Sequence, residues 1–426
     1  MALQGKNGNI AKSKLWSLRF LLLVVSLLLT LCLLEVALRS LYPKYQYAAD
    51  SDYQKSETRI WSRNSNSHYQ RLHPDTQAIH WVCHNNLGLR QHRNFSEQQL
   101  EASTTLAFFG DSFTENLRIP TAYSFTEPFD YLLNFDSEHP YTTLNFGIDG
   151  YGTDQSYLYY REAAAKTRLD HVFYIFTAND LRNIFENKLF ILENENELKQ
   201  NPPQKTPWAI RFISKFHLTY FIIENIDRLF YKSTDLNKRI HLQSFIDHTK
   251  NYHSEEADAI EEALRSNPES AQLQENITLF NRILKRWKSD VEKAGGQFHL
   301  IILPRAFEDN ASALTDLTNT NVVNLYKRFS AKMADDNYAR FIFKNDPHWN
   351  ETGNAWAARE LYEYFQEFTN QSPMDNAHGE QGLHNYYSAI GWPETSAEWR
   401  STDFKQNAEP ESIVQKYTSI EIAFEQ

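Results

Sequence analysis

Five short apolar runs in the middle of the chain predict β-strands, because each is rich in β-branched or aromatic residues and is bounded by polar or turn-forming ones. These runs cover residues 104–109, 141–146, 171–177, 298–303 and 339–343. The uninterrupted apolar stretches at 172–176 and 300–303 are typical of parallel strands covered on both faces. The pattern therefore predicts a parallel sheet that is buried between helices.

Helical periodicity fills the stretches between these runs. The helix before the fourth run covers about 269–293 and ends at Gly295-Gly296. Its predicted buried face consists of Leu273, Ile277, Phe280, Leu284, Trp287 and Val291. Strands that alternate with helices indicate a doubly wound α/β fold. We expect a flavodoxin-like, three-layer domain around a five-stranded parallel sheet.

A separate hydrophobic region lies at the amino terminus. The uncharged run 20–34, extended by its apolar flanks to residues 15–42, reaches the roughly 20 residues that span a bilayer. Four basic residues between positions 6 and 19 outnumber Arg39 and Lys44 behind the run, which predicts a cytoplasmic amino terminus and an extracytoplasmic remainder, periplasmic in a bacterium. A cleaved signal peptide is the alternative, although no small-x-small site follows the run. We predict an uncleaved single-pass transmembrane helix.

Net charge and the cysteine and histidine content limit the ligands and partners that the chain is expected to bind. The 426 residues carry a net charge of -11, whereas phosphate binding needs a basic surface, so nucleic acid is not expected as a partner. Cys32 lies in the apolar run and Cys83 is alone in the remainder, which excludes an intrachain disulfide there and a cysteine zinc site. No histidine pair at helical metal-ligand spacing is accompanied by a carboxylate base. We expect no metal and no organic cofactor.

Polar motifs follow four of the five predicted strands. They are Gly110-Asp111-Ser112 after the first, residues 145–150 after the second, Ala178-Asn179-Asp180 after the third and residues 345–348 after the fifth. In open α/β sheets, ligands bind outside the carboxyl ends of the strands. The four motifs therefore predict one site at that edge.

Two of these motifs supply the parts of a serine nucleophile. Such a serine needs a base to take its proton and an acid to orient that base. Pro347 favours an extended Asp346, and extended residues two apart face the same side, so Asp346 can reach Nδ1 of His348 and leave Nε2 accessible. Ser112 would then be the nucleophile, His348 the base and Asp346 the acid.

These residues resemble the SGNH, or GDSL-type, hydrolase superfamily, and within it the membrane-anchored forms with an Asp-x-His element. The resemblance covers roughly residues 104–183 and 297–365. Ser112 matches the nucleophile of the family, with Phe113 in place of the name-giving leucine. Asn179 matches the asparagine whose side-chain amide completes the family's oxyanion hole, with Ala178 in place of the usual preceding glycine. Asp346 and His348 are one residue closer than in the commonest Asp-x-x-His form.

The resemblance implies further roles. Gly150 matches the glycine whose amide joins the oxyanion hole, together with the Ser112 amide and the Asn179 side chain. It implies that Asp111 supports the nucleophile loop. It also implies an acyl-oxygen ester as substrate, such as an acylated polysaccharide or lipid.

Each motif also has a simpler interpretation. Gly110-Asp111-Ser112 alone is a strand-to-helix turn with a capping side chain. The Asp346 motif is also a turn that opens a helix over 351–365, whose buried face would be Ala355, Ala358, Leu361, Tyr362 and Phe365. Asn179 is an alternative cap for residues 181–183. The choice of Gly150 over Gly147 and Gly152 comes from the resemblance.

The predicted organisation has four parts. They are a cytoplasmic stub and anchor at 1–45, a lead-in at 46–103, a catalytic domain at 104–369 with a helical insertion at about 185–290, and a polar carboxy-terminal extension at 370–426. Inside the insertion, 208–232 is an apolar helix that either packs on the catalytic domain or acts as a lid or interfacial helix. We expect the extension to wrap the surface or to lack order in part.

Three functions stay open at this point. The first is a membrane-anchored serine esterase. The second is an O-acyltransferase, such as an O-acetyltransferase, acting on a cell-envelope polysaccharide, because polysaccharide O-acetyltransferase relatives share the shorter Asp-x-His spacing. The third is a catalytically silent binding or assembly protein on the same fold.

Overall fold

The computed structural model describes most of the chain between residues 4 and 390. The described residues are 4–41, 53–76, 78–135, 137–193, 197–203, 212, 216–219, 221–222, 259–260, 262–263, 266–267, 269–303, 321–325, 328, 338–369 and 376–390. The chain divides into two compact units. One comprises residues 1–51 and 205–250, and the other comprises 52–204 and 251–426.

The first unit is built on helix α1 (Gln4–Leu41). Its stretch Leu15–Leu41 has a mean hydropathy of 2.8, and it is long and apolar enough to cross a membrane. An amino-terminal signal sequence has the same length and composition. Glu35 accepts the amide hydrogens of His217 and Leu218, each at 2.9 Å, and is paired with Arg39. Most of the predicted helix at 208–232 lies outside the described residues.

The second unit begins with two antiparallel hairpins in the lead-in. The first pairs β1 (Tyr53–Ser56) with β2 (Ile60–Arg63), and the second pairs β3 (His68–Leu72) with β4 (Ile79–Cys83). A short helix α2 (Glu97–Ala102) follows, and its capping box at Ser96 and Gln99 fixes where it begins.

A parallel sheet forms the centre of this unit. Its members are β5 (Thr104–Gly110), β6 (Tyr141–Asn145), β7 (His171–Phe176), β10 (Gln297–Ile302) and β11 (Asn321–Asn324). Strands β8 (Phe190–Glu193) and β9 (Glu197–Gln200) form a separate antiparallel hairpin. Within the described residues the order is β11-β10-β7-β5-β6, and all neighbours are parallel. The first four predicted strands are therefore confirmed.

The fifth predicted strand, at 339–343, is wrong. Tyr338–Phe341 forms a 3-10 turn, and Ile342 makes only an isolated antiparallel bridge with Trp349. The backbone groups of this segment bond to residues 348–350: Asn350 donates to the Phe341 carbonyl, and the Phe343 amide donates to His348. Phe341 and Phe343 are buried although neither pairs in the sheet, and Asn321–Asn324 takes the edge position beside β10.

Helices pack on both faces of the sheet. They are α3 (Ser112–Glu115), α4 (Thr126–Asn134), α5 (Thr153–Ala164), α6 (Asn179–Asn187), α7 (Ala271–Lys293), α8 (Glu351–Phe368) and α9 (Asn376–Ala389). Alternate residues of β5 enter two hydrophobic clusters: Ala107 and Phe109 face the cluster with α5 to α7, and Leu106 and Phe108 face the one with α4, α8 and α9. This arrangement is the α/β class that the pattern predicted.

Both predicted helices are confirmed with their buried faces. All six apolar residues predicted for the helix before the fourth run are buried in α7, and all five predicted for 351–365 are buried in α8. Part of the carboxy-terminal extension, residues 376–390, packs on the domain. There α9 buries Leu383, Tyr386 and Tyr387, whose i, i+3, i+4 spacing forms an apolar stripe, while residues 391–426 lie outside the described part.

Candidate active site

The turn predicted to carry the nucleophile, called the nucleophile turn below, joins β5 to α3. Asp111 caps α3, and its Oδ1 accepts the Phe113 amide at 2.9 Å. A Cβ at Gly110 would lie 2.2 Å from Thr114 Oγ1 and 2.8 Å from the Ile175 carbonyl oxygen, so only glycine fits beside the neighbouring strand. The turn places Ser112 at the first position of α3, at the carboxyl end of β5.

Ser112, His348 and Asp346 form one hydrogen-bonded chain. Ser112 Oγ lies 2.6 Å from His348 Nε2, and His348 Nδ1 is hydrogen-bonded to Asp346 Oδ1. Asp346 Oδ1 also accepts the His348 amide at 2.9 Å, which fixes the carboxylate on the Nδ1 side of the ring. With the proton on Nδ1, the Nε2 lone pair faces the serine hydroxyl.

Asp346 has a second charged neighbour. Its Oδ2 lies 3.4 Å from Arg118 Nε, and the two side chains are about equally exposed. Burial by itself would raise the pKa of Asp346, but the hydrogen bonds from His348 and the positive charge of Arg118 hold that pKa well below its usual range. Asp346 is therefore an ionised acceptor at neutral pH.

Arg118 also reaches the loop after β6. Its NH1 lies 3.8 Å from Oδ1 of Asp149, next to Gly150. Gly150 has φ of +79°, a left-handed conformation that strains any residue with a Cβ. The Asn183 side chain donates to the Gly150 carbonyl at 3.2 Å, which directs that carbonyl towards α6. Gly150 thus satisfies a backbone requirement as well as matching the resemblance.

Asn179 lies at the start of α6, beside the nucleophile turn. Its Nδ2 donates to Asp111 Oδ2 at 2.9 Å, and Thr177 Oγ1 is 2.8 Å from both Asp111 Oδ2 and Asn179 Oδ1. One amide hydrogen of Asn179 is used in this way. Within the described part of the chain, the amides of Ser112 and Gly150 donate to no protein acceptor. Asn179 is the first residue of α6, and its side chain bonds to Asp111 and Thr177.

Glu115, one turn after Ser112, centres a buried cluster that sequence reasoning missed. Arg63 binds it with two nitrogens, at 2.6 and 2.8 Å, and His84 Nε2 lies 3.1 Å away. Glu115 Oε2 also accepts the Asp149 amide at 2.6 Å. The cluster therefore ties the nucleophile helix to both lead-in hairpins and to the loop of Gly150. A charged side chain three residues after Ser112, directly behind the predicted strand-to-helix turn, was the available signal.

Burial and charge have opposite effects within this cluster. Burial would raise the pKa of Glu115, but the charge of Arg63 and the bond from His84 hold it well below its usual range. Burial lowers the pKa of His84 to about 4, so this imidazole is neutral at pH 7 and donates to Glu115. Among the described residues no group of three or more His, Cys, Asp or Glu side chains converges as in a metal site.

No protein-family model and no curated protein matches this sequence. Three solved structures with low similarity are a two-domain esterase active on acetylated mannans (14% identity, TM-score 0.29, 65% of this chain and 53% of that one), the acetylxylan esterase Axe2 from Geobacillus stearothermophilus (12%, 0.26, 62% and 94%), and the α/β hydrolase LAE5 from a Lake Arreo metagenome (13%, 0.27, 64% and 98%). The chain spans about half the length of the first of these. Such TM-scores carry no argument, so the function must be inferred from the atoms of the site.

Proposed function

We propose that the second unit is a serine esterase of the SGNH type that hydrolyses acyl-oxygen esters. The main support for this proposal is the distance of 2.6 Å between Ser112 Oγ and His348 Nε2. Asp346 is hydrogen-bonded to the other ring nitrogen of His348. A serine, an imidazole and an ionised carboxylate in this order are the parts of a nucleophilic triad. They come from segments more than 200 residues apart in the chain.

The proposed reaction has two acyl-transfer steps. Ser112 Oγ attacks the carbonyl carbon while His348 Nε2 takes the hydroxyl proton, and the imidazolium formed is stabilised by Asp346. The tetrahedral intermediate breaks its bond to the alcohol oxygen, which leaves with the proton from Nε2. Water then gives a proton to His348 and attacks the acyl-serine, and collapse releases the carboxylic acid and restores Ser112.

The oxyanion would lie between three donors. They are the amides of Ser112 and Gly150 and the second amide hydrogen of Asn179. Asp111 orients one of these donors, because its Oδ2 accepts Asn179 Nδ2 while its Oδ1 accepts the Phe113 amide. The proposed role of Asp111 is therefore support of the donors and not proton transfer.

The proposed architecture follows the predicted boundaries. The strand order β11-β10-β7-β5-β6 supports a flavodoxin-like three-layer domain. The apolar stretch 15–42 would anchor it as a single-pass helix, with the amino terminus cytoplasmic and the catalytic domain extracytoplasmic. We propose a membrane-accessible ester as substrate, such as an acylated envelope polysaccharide or lipid.

Hydrolysis of a short-chain aryl ester by the full-length protein in detergent tests the proposal. We expect Ser112→Ala and His348→Ala to lower kcat by roughly 10⁴-fold or more, because both triad members act as one unit. Exposed Ser137→Ala and His139→Ala are the matched controls and should keep the parent's kcat. A parent rate that survives Ser112→Ala rules out the assignment.

A second candidate is an O-acyltransferase that uses the same acyl-serine. The Asp-x-His spacing of Asp346 and His348 favours it, because the resembling polysaccharide O-acetyltransferases share that spacing. The chemistry differs only in the second step, where a sugar hydroxyl replaces water. Supplying a glucan or chitooligosaccharide acceptor and measuring ester formation separates the two: transfer that exceeds hydrolysis identifies a transferase, and unchanged hydrolysis in its presence identifies an esterase.

A further inference from the structure

The loop that contains Asp346 and His348 is held by a turn from the lead-in. This Asp-His loop, residues 343–350, is closed by hydrogen bonds between the Phe343 amide and the His348 carbonyl and between the Asn350 amide and the Phe341 carbonyl. It has no sheet neighbour along its length among the described residues apart from the bridge at Trp349. Its position must therefore come from contacts outside it.

Asp75 holds the first end of the loop. Its Oδ2 accepts the Lys344 amide at 3.0 Å, and its Oδ1 accepts the Asn345 amide at 3.0 Å and Asn345 Nδ2 at 3.3 Å. These two amides belong to the residues directly before Asp346. A carboxylate suits this place, since both of its oxygens face donors.

His73 holds the other end. Its Nδ1 accepts the amides of Asp75 and Thr76, at 3.3 and 3.2 Å, so the ring proton is on Nε2. Nε2 lies 3.0 Å from Oε1 of Glu351, the first residue of α8, and both side chains are 3% exposed. The His73 ring also makes an edge contact with Phe343, with 5.0 Å between centroids. One imidazole thus orders its own turn and fastens the start of α8.

The turn is itself rigidly placed. It joins β3 to β4, and the His73 amide donates to the Ala78 carbonyl at 2.8 Å. The same hairpin carries His84 just after β4, which contacts Glu115 on the nucleophile helix. A single lead-in hairpin therefore touches both halves of the site, one through Glu115 and the other through the Asp-His loop.

We propose that Asp75 and His73 are positioning residues for the reaction, an inference that rests on the proposed function of Ser112, His348 and Asp346. They set the distance from Ser112 Oγ to His348 Nε2 by fixing the loop at residues 344–345 and at Glu351. A displacement of about 1 Å in a catalytic group can cost roughly 10²-fold in rate. Neither residue contacts the reacting atoms, so substrate binding should be nearly unaffected.

The test compares the full-length parent with Asp75→Ala, Asp75→Asn and the matched control Asp170→Ala. Asp170 also accepts a backbone amide, that of Thr105 at 2.9 Å, but it directly precedes β7 and so lies at the amino-terminal ends of the strands, away from the site. We expect Asp75→Ala to lower kcat by roughly 10²-fold with KM within about twofold. Asp75→Asn keeps one acceptor but turns its NH2 group towards the other donor, so it should recover only part of that loss. Asp170→Ala should keep the parent's kcat.

Hydrogen exchange of residues 341–352 gives a readout without catalysis. We expect faster exchange of the Asp-His loop in Asp75→Ala only. An active parent whose kcat is unchanged by Asp75→Ala overturns the positioning role, whatever the exchange shows. A folded parent that neither hydrolyses the ester nor reacts at Ser112 with a fluorophosphonate contradicts the proposed function instead. In that case, unchanged hydrogen exchange in Asp75→Ala overturns this inference separately.

Discussion

Of two clusters in the second unit that combine a carboxylate, an imidazole and a guanidinium, one faces Ser112, the proposed nucleophile. In one cluster Glu115 binds His84 and Arg63, and in the other Asp346 binds His348 and Arg118. Both carboxylates have pKa values well below their usual range. Residue types alone therefore do not separate a structural cluster from a chemical one.

The two clusters differ in solvent exposure and in the partner of the second imidazole nitrogen. The side chains of Glu115 and His84 are 0% exposed, whereas those of Asp346 and His348 are 15% and 13% exposed. The second nitrogen of His84 faces Ser67 at 3.4 Å, within the lead-in, while that of His348 faces Ser112 at 2.6 Å on the nucleophile turn. Arg63 binds its carboxylate with two nitrogens, and Arg118 approaches only at 3.4 Å. A closed cluster fixes elements together, and an open one can exchange protons with a substrate.

The largest effect should separate the two histidines. His348→Ala is expected to lower kcat by roughly 10⁴-fold and to leave the free energy of unfolding nearly unchanged. His84→Ala should act the other way and lower that free energy by about 1–3 kcal/mol, because it removes a buried hydrogen-bond partner. Steady-state kinetics and urea unfolding of both variants check this. Equal losses of kcat and of the free energy of unfolding in the two variants would contradict the distinction between the two clusters.

Arg63→Leu should give the largest loss of stability. Removing one partner of a buried ion pair typically costs about 3–5 kcal/mol, because Glu115 would keep an uncompensated charge. Arg286→Leu is the matched control, since Arg286 pairs with Asp290 at 3.2 Å on the surface and is 61% exposed. A control loss of about 0–1 kcal/mol is expected. Equal unfolding curves for the two variants would count against a structural role for the Glu115 cluster.

Asn179→Ala tests the oxyanion donors beside the open cluster. Loss of one such donor typically lowers kcat by about 10²–10³-fold. Because Asp111 would keep its bonds to Thr177 and Phe113, we expect the variant to fold like the parent by circular dichroism. Near-parent turnover in this variant would remove Asn179 from the proposed site.

Arg118→Gln should have a smaller effect that depends on pH. Arg118 lowers the pKa of Asp346, so its loss should raise that pKa, and the Asp346 carboxyl should titrate at a higher pH than in the parent. At neutral pH we expect roughly a tenfold lower kcat/KM, about 1.4 kcal/mol. Superimposable NMR titration curves of the Asp346 carboxyl in the two proteins would show that Arg118 does not act through Asp346.

The smallest effect concerns acid stability of the closed cluster. Folded His84 has a pKa of about 4, and unfolded histidine titrates near 6.5. The unfolded state binds the proton first, so this contribution to stability is complete above pH 6.5 and is lost as pH falls towards 4. His84→Gln removes one titrating group. The slope of the free energy of unfolding against pH, between pH 4 and 6.5, should therefore be lower by up to about 1.4 kcal/mol per pH unit. Parallel slopes for parent and variant would contradict a neutral buried His84.

Asp346 and His348 of the open cluster were predictable because their geometry is largely local, whereas Arg118 was not predicted. The turn at Gly110 and Asp111 and the two-residue spacing of Asp346 and His348 set the orientation of each half, and strands β5 and β7 read clearly as buried apolar runs. The closed cluster was not predictable. Arg63 and His84 reach Glu115 across 52 and 31 residues, through hairpins whose pairing no periodic pattern specifies.

The error at the fifth predicted strand has a related cause. Residues 339–343 are apolar enough for a strand, yet their hydrogen bonds go to the Asp-His loop. Asn321–Asn324 has only two valines between its asparagines, too short a run to read as a strand. Sequence periodicity reports burial, and it does not report which backbone groups a buried segment pairs with.

The central claim is that Ser112 is a nucleophile activated by His348. The most direct measurement is reaction of the full-length protein with a fluorophosphonate, followed by peptide mass spectrometry. We predict one covalent adduct, on Ser112, formed in the parent and in Ser137→Ala, strongly slowed in His348→Ala and absent in Ser112→Ala. A folded parent that is not labelled, or is labelled equally well without His348, would contradict the account and favour a silent binding protein on this fold.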